Sequence, residues 1–234
     1  MAAFEQYRVP FLHEKRIEDE AELLLNEWAE MQNQDIVVPV PIEDILELHL
    51  GLAFSLADLQ KEFGHRDVLG AIWFGDKEVK VDKSLSPDDN PKMLGRFRFT
   101  IAHEIGHWRL HKSHLMENPA ALHLFQEKSE PAFVQRSSQN PPEEKQANMF
   151  AAALLMPQQQ VFDAWMKWRG NCNPVGINEL MDSDSASLEK LQPDVAVEQF
   201  CRPLAQQFEV SAQAMHYRLK KLELVVPHSQ PRLF

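Results

Sequence analysis

The spacing of apolar residues predicts amphipathic helices in four parts of the chain. Apolar side chains recur there every three or four residues, which is the period of a helix packed against a core. The four segments are residues 17–31, a stretch that begins near Pro91 and contains FRFTIAHEIGHWRL, residues 143–157, and residues 158–169. Pro39 and Pro41 interrupt the pattern after the first segment, and a short helix is expected to follow them.

Strand-like patterns lie between the first two of these helices. Residues 52–56, 69–74 and 78–82 are rich in apolar and β-branched residues, and Gly75-Asp76-Lys77 is typical of a tight hairpin turn. Residues 112–142 contain four prolines and show no long period, which indicates a loop with a short apolar piece at 131–134.

Composition and charge narrow the class of protein. The chain is 44% hydrophobic and 25% charged, as in an ordinary globular protein, and its formal net charge of −11 disfavours direct binding to nucleic acid. Residues 1–10 do not form a charged-then-apolar leader, and no apolar run approaches membrane-spanning length. We therefore expect a cytoplasmic protein without membrane contact. The two cysteines, Cys172 and Cys201, are too far apart in sequence to indicate a cysteine zinc site.

His103, Glu104 and His107 form an HExxH motif on the helix that begins near Pro91. Histidines four residues apart lie on one helix face, so both imidazoles can bind a single Zn²⁺ at about 2.0–2.1 Å. Glu104 lies on the same turn and can act as a base on a water molecule, as in zinc peptidases. The motif also arises by chance, but here it falls within an amphipathic helix. Gly106 costs about 1 kcal/mol relative to alanine, which makes sense where another helix approaches closely.

The third ligand of such a site is expected from the helix at residues 143–157. Glu144 and Asn148 share one helix face with small residues, which would let that face pack tightly against the turn containing Gly106. Glu144 would then bind the metal, and Asn148, one turn further on, would hold a ligand in place. Spacing alone leaves an alternative open, because Glu143 and Glu144 can instead complement the dipole at the start of the helix.

Two motifs together resemble the ImmA/IrrE family of metallopeptidases. The first is GRFRFTIAHEIGH at residues 95–107, and the second is the pattern ExxANxFAAxLLMP at residues 144–157. The resemblance extends over roughly residues 17–226. It implies one Zn²⁺ and favours Glu144 over Glu143 as the third ligand. The implied zinc ligands are His103, His107 and Glu144, and the implied general base is Glu104.

These patterns predict an α+β fold in which a small antiparallel sheet lies beside a zincin-like active-site helix pair. We expect a metallopeptidase domain at 1–169, a flexible linker at 170–192, and a C-terminal helical segment at 193–234 packed on the peptidase. Residues 204–219 resemble a helix-turn-helix, but Glu209 occupies the turn and acidic residues offset the basic ones. A helical pair that closes the peptidase is therefore favoured over one that reads DNA.

Three further residues are candidates for transition-state or substrate contacts. They are Arg98, which precedes the HExxH motif, His111, which lies near the end of the same helix, and Tyr217 in the tail. Each has an ordinary alternative. For His111 the alternative is an exposed histidine near a helix C-terminus.

The predicted function is that of a zinc-dependent endopeptidase. The resemblance implies a narrow protein substrate, namely a helix-turn-helix DNA-binding repressor or an antitoxin-like partner. The alternative is a regulatory binding module that sequesters its partner and carries an idle or structural metal site. Intact Glu104 argues against that alternative, because a structural site needs no base. A weaker alternative is a DNA-binding regulator that uses the tail, and the acidic net charge counts against it.

Overall fold

The computed structural model describes residues 9–138, 141–177 and 193–227. Contacts between residues divide the chain into two compact units, Met1–Leu155 and Met156–Phe234. Most of the predicted linker at 170–192 lies outside the described residues, and the predicted domain boundaries stay predictions.

Three long helices organise the first unit. Its α-helices in chain order are α1 (Glu14–Gln32), α2 (Ile42–Asp44), α3 (Leu59–Phe63), α4 (Leu94–Leu110), α5 (Lys112–Met116) and α6 (Pro142–Leu155), and a π-helix at Ile45–His49 directly follows α2. Both α1 and α4 pack against α6. The apolar period predicted α1 because Ile17, Ala21, Leu24 and Leu25 form its buried face.

The pair α4 and α6 approaches closely at Gly106. A Cβ atom at this position would lie 3.1 Å from the Cα of Ala147 and 3.3 Å from the Cβ of Phe150, both on α6. The absent side chain therefore allows the contact that the glycine in the HExxH turn predicted. Residues on almost every side of α4 are buried, so the helix lies inside the unit.

The sheet of the first unit has four strands and is mixed. The strands are β1 (Ala53–Ala57), β2 (Val68–Trp73), β3 (Glu78–Asp82) and β4 (Phe133–Arg136), in the order β1-β3-β2-β4. β2 is antiparallel to β3 and β4, whereas β1 is parallel to β3. The prediction of an antiparallel sheet is therefore wrong for β1. The chain leaves β1 through α3, and the following hairpin places β3 rather than β2 beside β1.

β4 lies within the segment 112–142, which the sequence predicted to be a loop. The segment instead contains α5, a 3₁₀ helix at Pro119–Phe125, and β4. The apolar piece at 131–134 marks the start of this strand. The strand itself escaped prediction because it has only four residues and is polar from Gln135 onward.

The two faces of the sheet have different neighbours. Val134 of β4 joins an apolar cluster that includes Leu59 of α3. On the opposite face, Phe133 stacks on His107 of α4, with ring centroids 4.0 Å apart and planes 13° from parallel. A Cβ atom at Gly70 of β2 would lie 2.6 Å from Thr100 of α4. β2 and β4 thus form one wall of the region around the HExxH turn.

The second unit is mainly helical. It contains α7 (Gln158–Arg169), α8 (Pro193–Phe208), α9 (Ala212–Lys221), and the short parallel strands β5 (Val175–Gly176) and β6 (Val225–Val226). Glu209 ends α8 with a φ of 52°, and Ser211 caps α9 by accepting a hydrogen bond from the backbone N–H of Ala214. The packing of this pair on the peptidase domain stays a prediction. Among the described residues, no helix combines the length and apolar character needed to cross a membrane.

Candidate metal centre

His103, His107 and Glu144 meet between α4 and α6 within the first unit. The Nε2 atoms of the two histidines lie 3.0 Å apart. The two carboxylate oxygens of Glu144 lie 3.0 Å from Nε2 of His103 and 3.2 Å from Nε2 of His107. All three side chains are buried. The structure therefore brings together the three residues that the sequence predicted as ligands.

This group of atoms fits a divalent cation. Two ligand atoms bound to one ion at 2.0–2.1 Å and at a tetrahedral angle are about 3.3 Å apart. The separations of 3.0–3.2 Å between the donor atoms are close to that value. Two histidines and one glutamate also form a ligand set of catalytic zinc sites, which keep one coordination position open.

Asn148 fixes the orientation of His103. Its Oδ1 lies 3.0 Å from Nδ1 of His103, and an amide oxygen only accepts hydrogen bonds, so Nδ1 carries the proton. The lone pair of Nε2 then faces the Glu144 carboxylate, which is also an acceptor. Two acceptors this close require a cation between them, either a proton or a metal ion.

His111 contacts His107 on the side of the ring opposite Glu144. The Nδ1 atoms of the two histidines lie 3.0 Å apart, and Nε2 of His111 lies 3.4 Å from Oε1 of Gln146. His111 is buried, so the alternative of an exposed histidine at a helix end is wrong. Its described contacts are with Nδ1 of His107, with Gln146 and with the ring of Phe133, and direct contact with substrate stays a prediction.

Glu104 is fully buried against β2. Its Oε1 would lie 2.8 Å from a Cβ atom at Gly70, and neither carboxylate oxygen has a hydrogen-bond partner within the part of the chain that the structure describes. Burial, and then the negative charge of Glu144, raise the pKa of Glu104 well above its ordinary value. A cation bound by the neighbouring triad would oppose the contribution of Glu144. A carboxylate whose pKa is shifted towards neutrality is suited to general acid–base catalysis.

The charges of the candidate ligands follow from their burial and from their effects on each other. Burial lowers the pKa of His107 to about 4, so its imidazole is neutral at physiological pH and has a lone pair for a cation. Burial alone would raise the pKa of Glu144, but His107 and His103 lower that pKa below its ordinary value. The pKa values of Glu104 and Glu144 thus move in opposite directions, and such a division indicates different roles for two neighbouring carboxylates.

Arg98 and Tyr217 have described contacts outside this group of ligands. Nη2 of buried Arg98 donates to the carbonyl oxygen of Val40 at 2.6 Å, and its Nη1 lies 3.9 Å from the Glu43 carboxylate. Tyr217 lies in the second unit, is 62% exposed, and stacks on the ring of His216. A substrate contact of either residue stays a prediction.

Three residues at the site were not identified from the sequence. They are Gly70 beside Glu104, Phe133 stacked on His107, and Gln146 beside His111. The continued four-residue spacing of His103, His107 and His111 was a signal that His111, which directly follows α4, takes part. No comparable signal marked Gln146, because residues two positions apart lie on opposite faces of an α-helix, and Gln146 is two positions after Glu144.

Comparisons with known proteins give one family match. Residues 88–168 match the peptidase M78 family model, described as an IrrE N-terminal-like domain. No curated protein matches the chain. Among solved structures, the chain is similar to a Mycobacterium tuberculosis transcriptional regulator, with 14% identity and a TM-score of 0.48. That similarity covers 90% of this chain and 48% of the regulator, so the chain spans about half of its length. The family match confirms the resemblance inferred from the two motifs, and the matched residues 88–168 contain both of them.

Proposed function

We propose that the protein is a zinc-dependent endopeptidase that cleaves one specific protein partner, a DNA-binding repressor or an antitoxin-like protein. The observation that carries the proposal is the buried group of three candidate cation ligands beside a buried carboxylate that has no hydrogen-bond partner among the described residues. The family match supports a metallopeptidase-type role. The nature of the partner rests on the family resemblance.

The chemistry divides between the ligands and Glu104. Zn²⁺ held by His103, His107 and Glu144 would polarise the scissile carbonyl and lower the pKa of a water molecule from about 15.7 towards 7. Glu104 accepts a proton from the attacking water and returns it to the leaving amine. Its raised pKa suits both steps, because the same group must first take the proton and then release it.

β4 offers a surface for an extended substrate. It is the end strand in the order β1-β3-β2-β4, so one of its edges faces away from β2. Gln135 lies opposite Gly70 in this sheet, and its buried Oε1 has no hydrogen-bond partner within the described ranges. An extended peptide beside β4 would supply backbone N–H donors both to the strand and to such an acceptor. We therefore place the substrate along β4.

Reading of DNA by the tail is disfavoured by the environment of Arg218. This side chain is 1% exposed, and its Nε donates to the carbonyl oxygen of Met156 at 2.8 Å. A phosphate or base contact would require Arg218 to leave this buried position. The acidic net charge of the chain acts in the same direction.

The Glu104→Gln variant separates the peptidase from a module that sequesters its partner. The substitution preserves the shape of the side chain but removes the base. We expect cleavage of the partner to fall by at least about 10²-fold while binding of the partner is retained. Helix-turn-helix repressors found by inspection of the neighbouring genes are the test substrates, incubated with and without chelator and followed by mass spectrometry. Full biological activity of Glu104→Gln would instead favour sequestration.

Metal analysis tests the ligands independently of any substrate. We expect the protein to bind one Zn²⁺, and the His103→Ala and Glu144→Ala variants to lose stoichiometric binding. Glu143→Gln is a matched control, because it changes the neighbouring carboxylate and should retain the metal. Stoichiometric zinc in both ligand variants would contradict the assignment.

A further inference from the structure

The backbone carbonyl of Pro10 lies at the end of a chain of hydrogen bonds that reaches His107. Nε2 of Gln146 donates to this carbonyl at 3.1 Å. Oε1 of Gln146 lies 3.4 Å from Nε2 of His111, and Nδ1 of His111 lies 3.0 Å from Nδ1 of His107. Pro10 precedes α1, and Gln146 is on α6. His107 is on α4, and His111 directly follows that helix.

The carbonyl of Pro10 determines the donor and acceptor roles in this series of hydrogen bonds. A carbonyl oxygen only accepts, so Gln146 must present its NH₂ group to Pro10 and its oxygen to His111. That oxygen in turn requires an N–H on Nε2 of His111. A neutral His111 then has a lone pair on Nδ1, which accepts from Nδ1–H of His107.

The alternative pattern requires a charged His111. If Nδ1 of His111 donated to His107 while Nε2 donated to Gln146, the ring would carry a positive charge. His111 is fully buried, and the two groups described as hydrogen-bonding to it, His107 and Gln146, are uncharged; the charge of Glu144 also acts on His111, but burial has the larger effect. An unpaired cation in such a place is strongly unfavourable. The neutral pattern is therefore favoured.

We propose that His111 and Gln146 are positioning residues that fix the Nδ1–H tautomer of His107 and thereby direct its Nε2 lone pair at the metal position. This inference rests on the proposed metal site. The group that sets the tautomer is a main-chain carbonyl three groups away from His107. Ligand histidines commonly donate their second N–H to a carboxylate or a backbone carbonyl directly, and here a neutral histidine and an amide transmit that requirement.

A matched pair of substitutions at residue 111 isolates the acceptor. Asparagine places its Oδ1 near the position of Nδ1 of histidine, and leucine has a similar shape without any acceptor. In His111→Leu, Nδ1–H of His107 loses its partner, so the proton favours Nε2, where Glu144 accepts it and a metal ion must displace it. We expect His111→Leu to weaken Zn²⁺ binding 10–100-fold in chelator competition. We expect His111→Asn to remain within a few-fold of the wild-type affinity.

The tautomer itself is measured on the metal-free protein by long-range ¹H–¹⁵N correlation spectra of the imidazole rings. Wild type and His111→Asn should show His107 protonated on Nδ1, and His111→Leu should show protonation on Nε2. Gln146→Met, which removes both amide hydrogen bonds, should increase the population of His111 protonated on Nδ1 and of His107 protonated on Nε2. The wild-type spectrum is informative even if a variant fails to fold.

The outcomes distinguish this inference from the proposed function. An Nδ1-protonated His107 that changes in the leucine variant supports the relay even if no zinc binds, and absence of zinc binding would then count against the peptidase. A wild-type His107 protonated on Nε2 would overturn the relay. Equal zinc affinity of the leucine and asparagine variants would also overturn it, while leaving the metal site intact.

Discussion

Replacement of Gly70 by alanine should impair catalysis by displacing the base rather than the metal ligands. A Cβ atom at this position would lie 2.8 Å from Oε1 of Glu104 and 2.6 Å from Cγ2 of Thr100, whereas ordinary contacts begin at about 3.4 Å. To reach that distance, the carboxylate oxygen must move by about 0.6 Å (3.4 minus 2.8) and the methyl group by about 0.8 Å (3.4 minus 2.6). Overpacking of a buried site by one methyl group costs about 1–3 kcal/mol of folding free energy. A misplacement of about 1 Å in a catalytic group costs up to 10²-fold in rate.

We therefore expect Gly70→Ala to lower kcat/KM by about 10- to 100-fold, with Zn²⁺ affinity unchanged within a few-fold. Cleavage of the candidate repressor measures the first quantity, chelator competition the second, and urea unfolding the loss of stability. The double variant Gly70→Ala/Thr100→Ser separates the two contacts, because serine lacks the methyl group that is 2.6 Å away. It should recover part of the stability but not the activity. If the double variant cleaves at the wild-type rate, the contact with Glu104 is not responsible and the reasoning is refuted.

Three further predictions concern the base, a supporting residue and the tail. Since the folded-state pKa of Glu104 lies above the ordinary value of 4.5, its contribution to stability is complete below pH 4.5 and is lost as pH rises, at about 1.4 kcal/mol per unit. Urea unfolding of the metal-free proteins should therefore show a smaller loss of stability between pH 4.5 and 7.5 for Glu104→Gln than for wild type, and parallel curves would contradict this. Asn148→Leu should weaken Zn²⁺ binding 10–100-fold in chelator competition, whereas Asn148→Asp, which keeps an acceptor for Nδ1 of His103, should not. Because Arg218 is buried, mobility-shift assays with duplex DNA at about 0.15 M salt should show no specific complex, and a shift that depends on Arg218 would revive the DNA-binding alternative.

The helix pair of the site was predictable because its signals are local. The HExxH spacing, the small residues on the facing helix and the glycine between them all act over one or two helical turns. These signals placed His103, His107, Glu144 and Asn148 on facing helices, and the family resemblance favoured Glu144 as the third ligand; the structure brings these side chains together.

The remaining features depend on contacts between distant parts of the chain. The parallel pairing of β1 with β3 is decided by which strand of the hairpin meets β1, and the sequence of β1 does not record that choice. β4 is a strand because β2 pairs with it, although half of its residues are polar. The burial of His111 depends on packing against α6 and on Gln146, more than thirty residues away in sequence. Sequence periodicity therefore predicted the helices well. It predicted poorly the pairing of the strands and the residues that contact the candidate ligands.

The stacking of Phe133 on His107 makes a sheet strand and a ligand helix share one contact. Phe133 is paired with Ile72 in the backbone of the sheet, while His107 points its Nε2 at Glu144. An ion that orders His107 and a peptide that orders β4 would therefore act on the same pair of rings. Thermodynamic linkage requires their effects to be reciprocal, so any factor by which a peptide strengthens metal binding must equal the factor by which the metal strengthens peptide binding. Where the metal strengthens peptide binding, chelation would therefore weaken substrate association as well as stop the proposed hydrolysis.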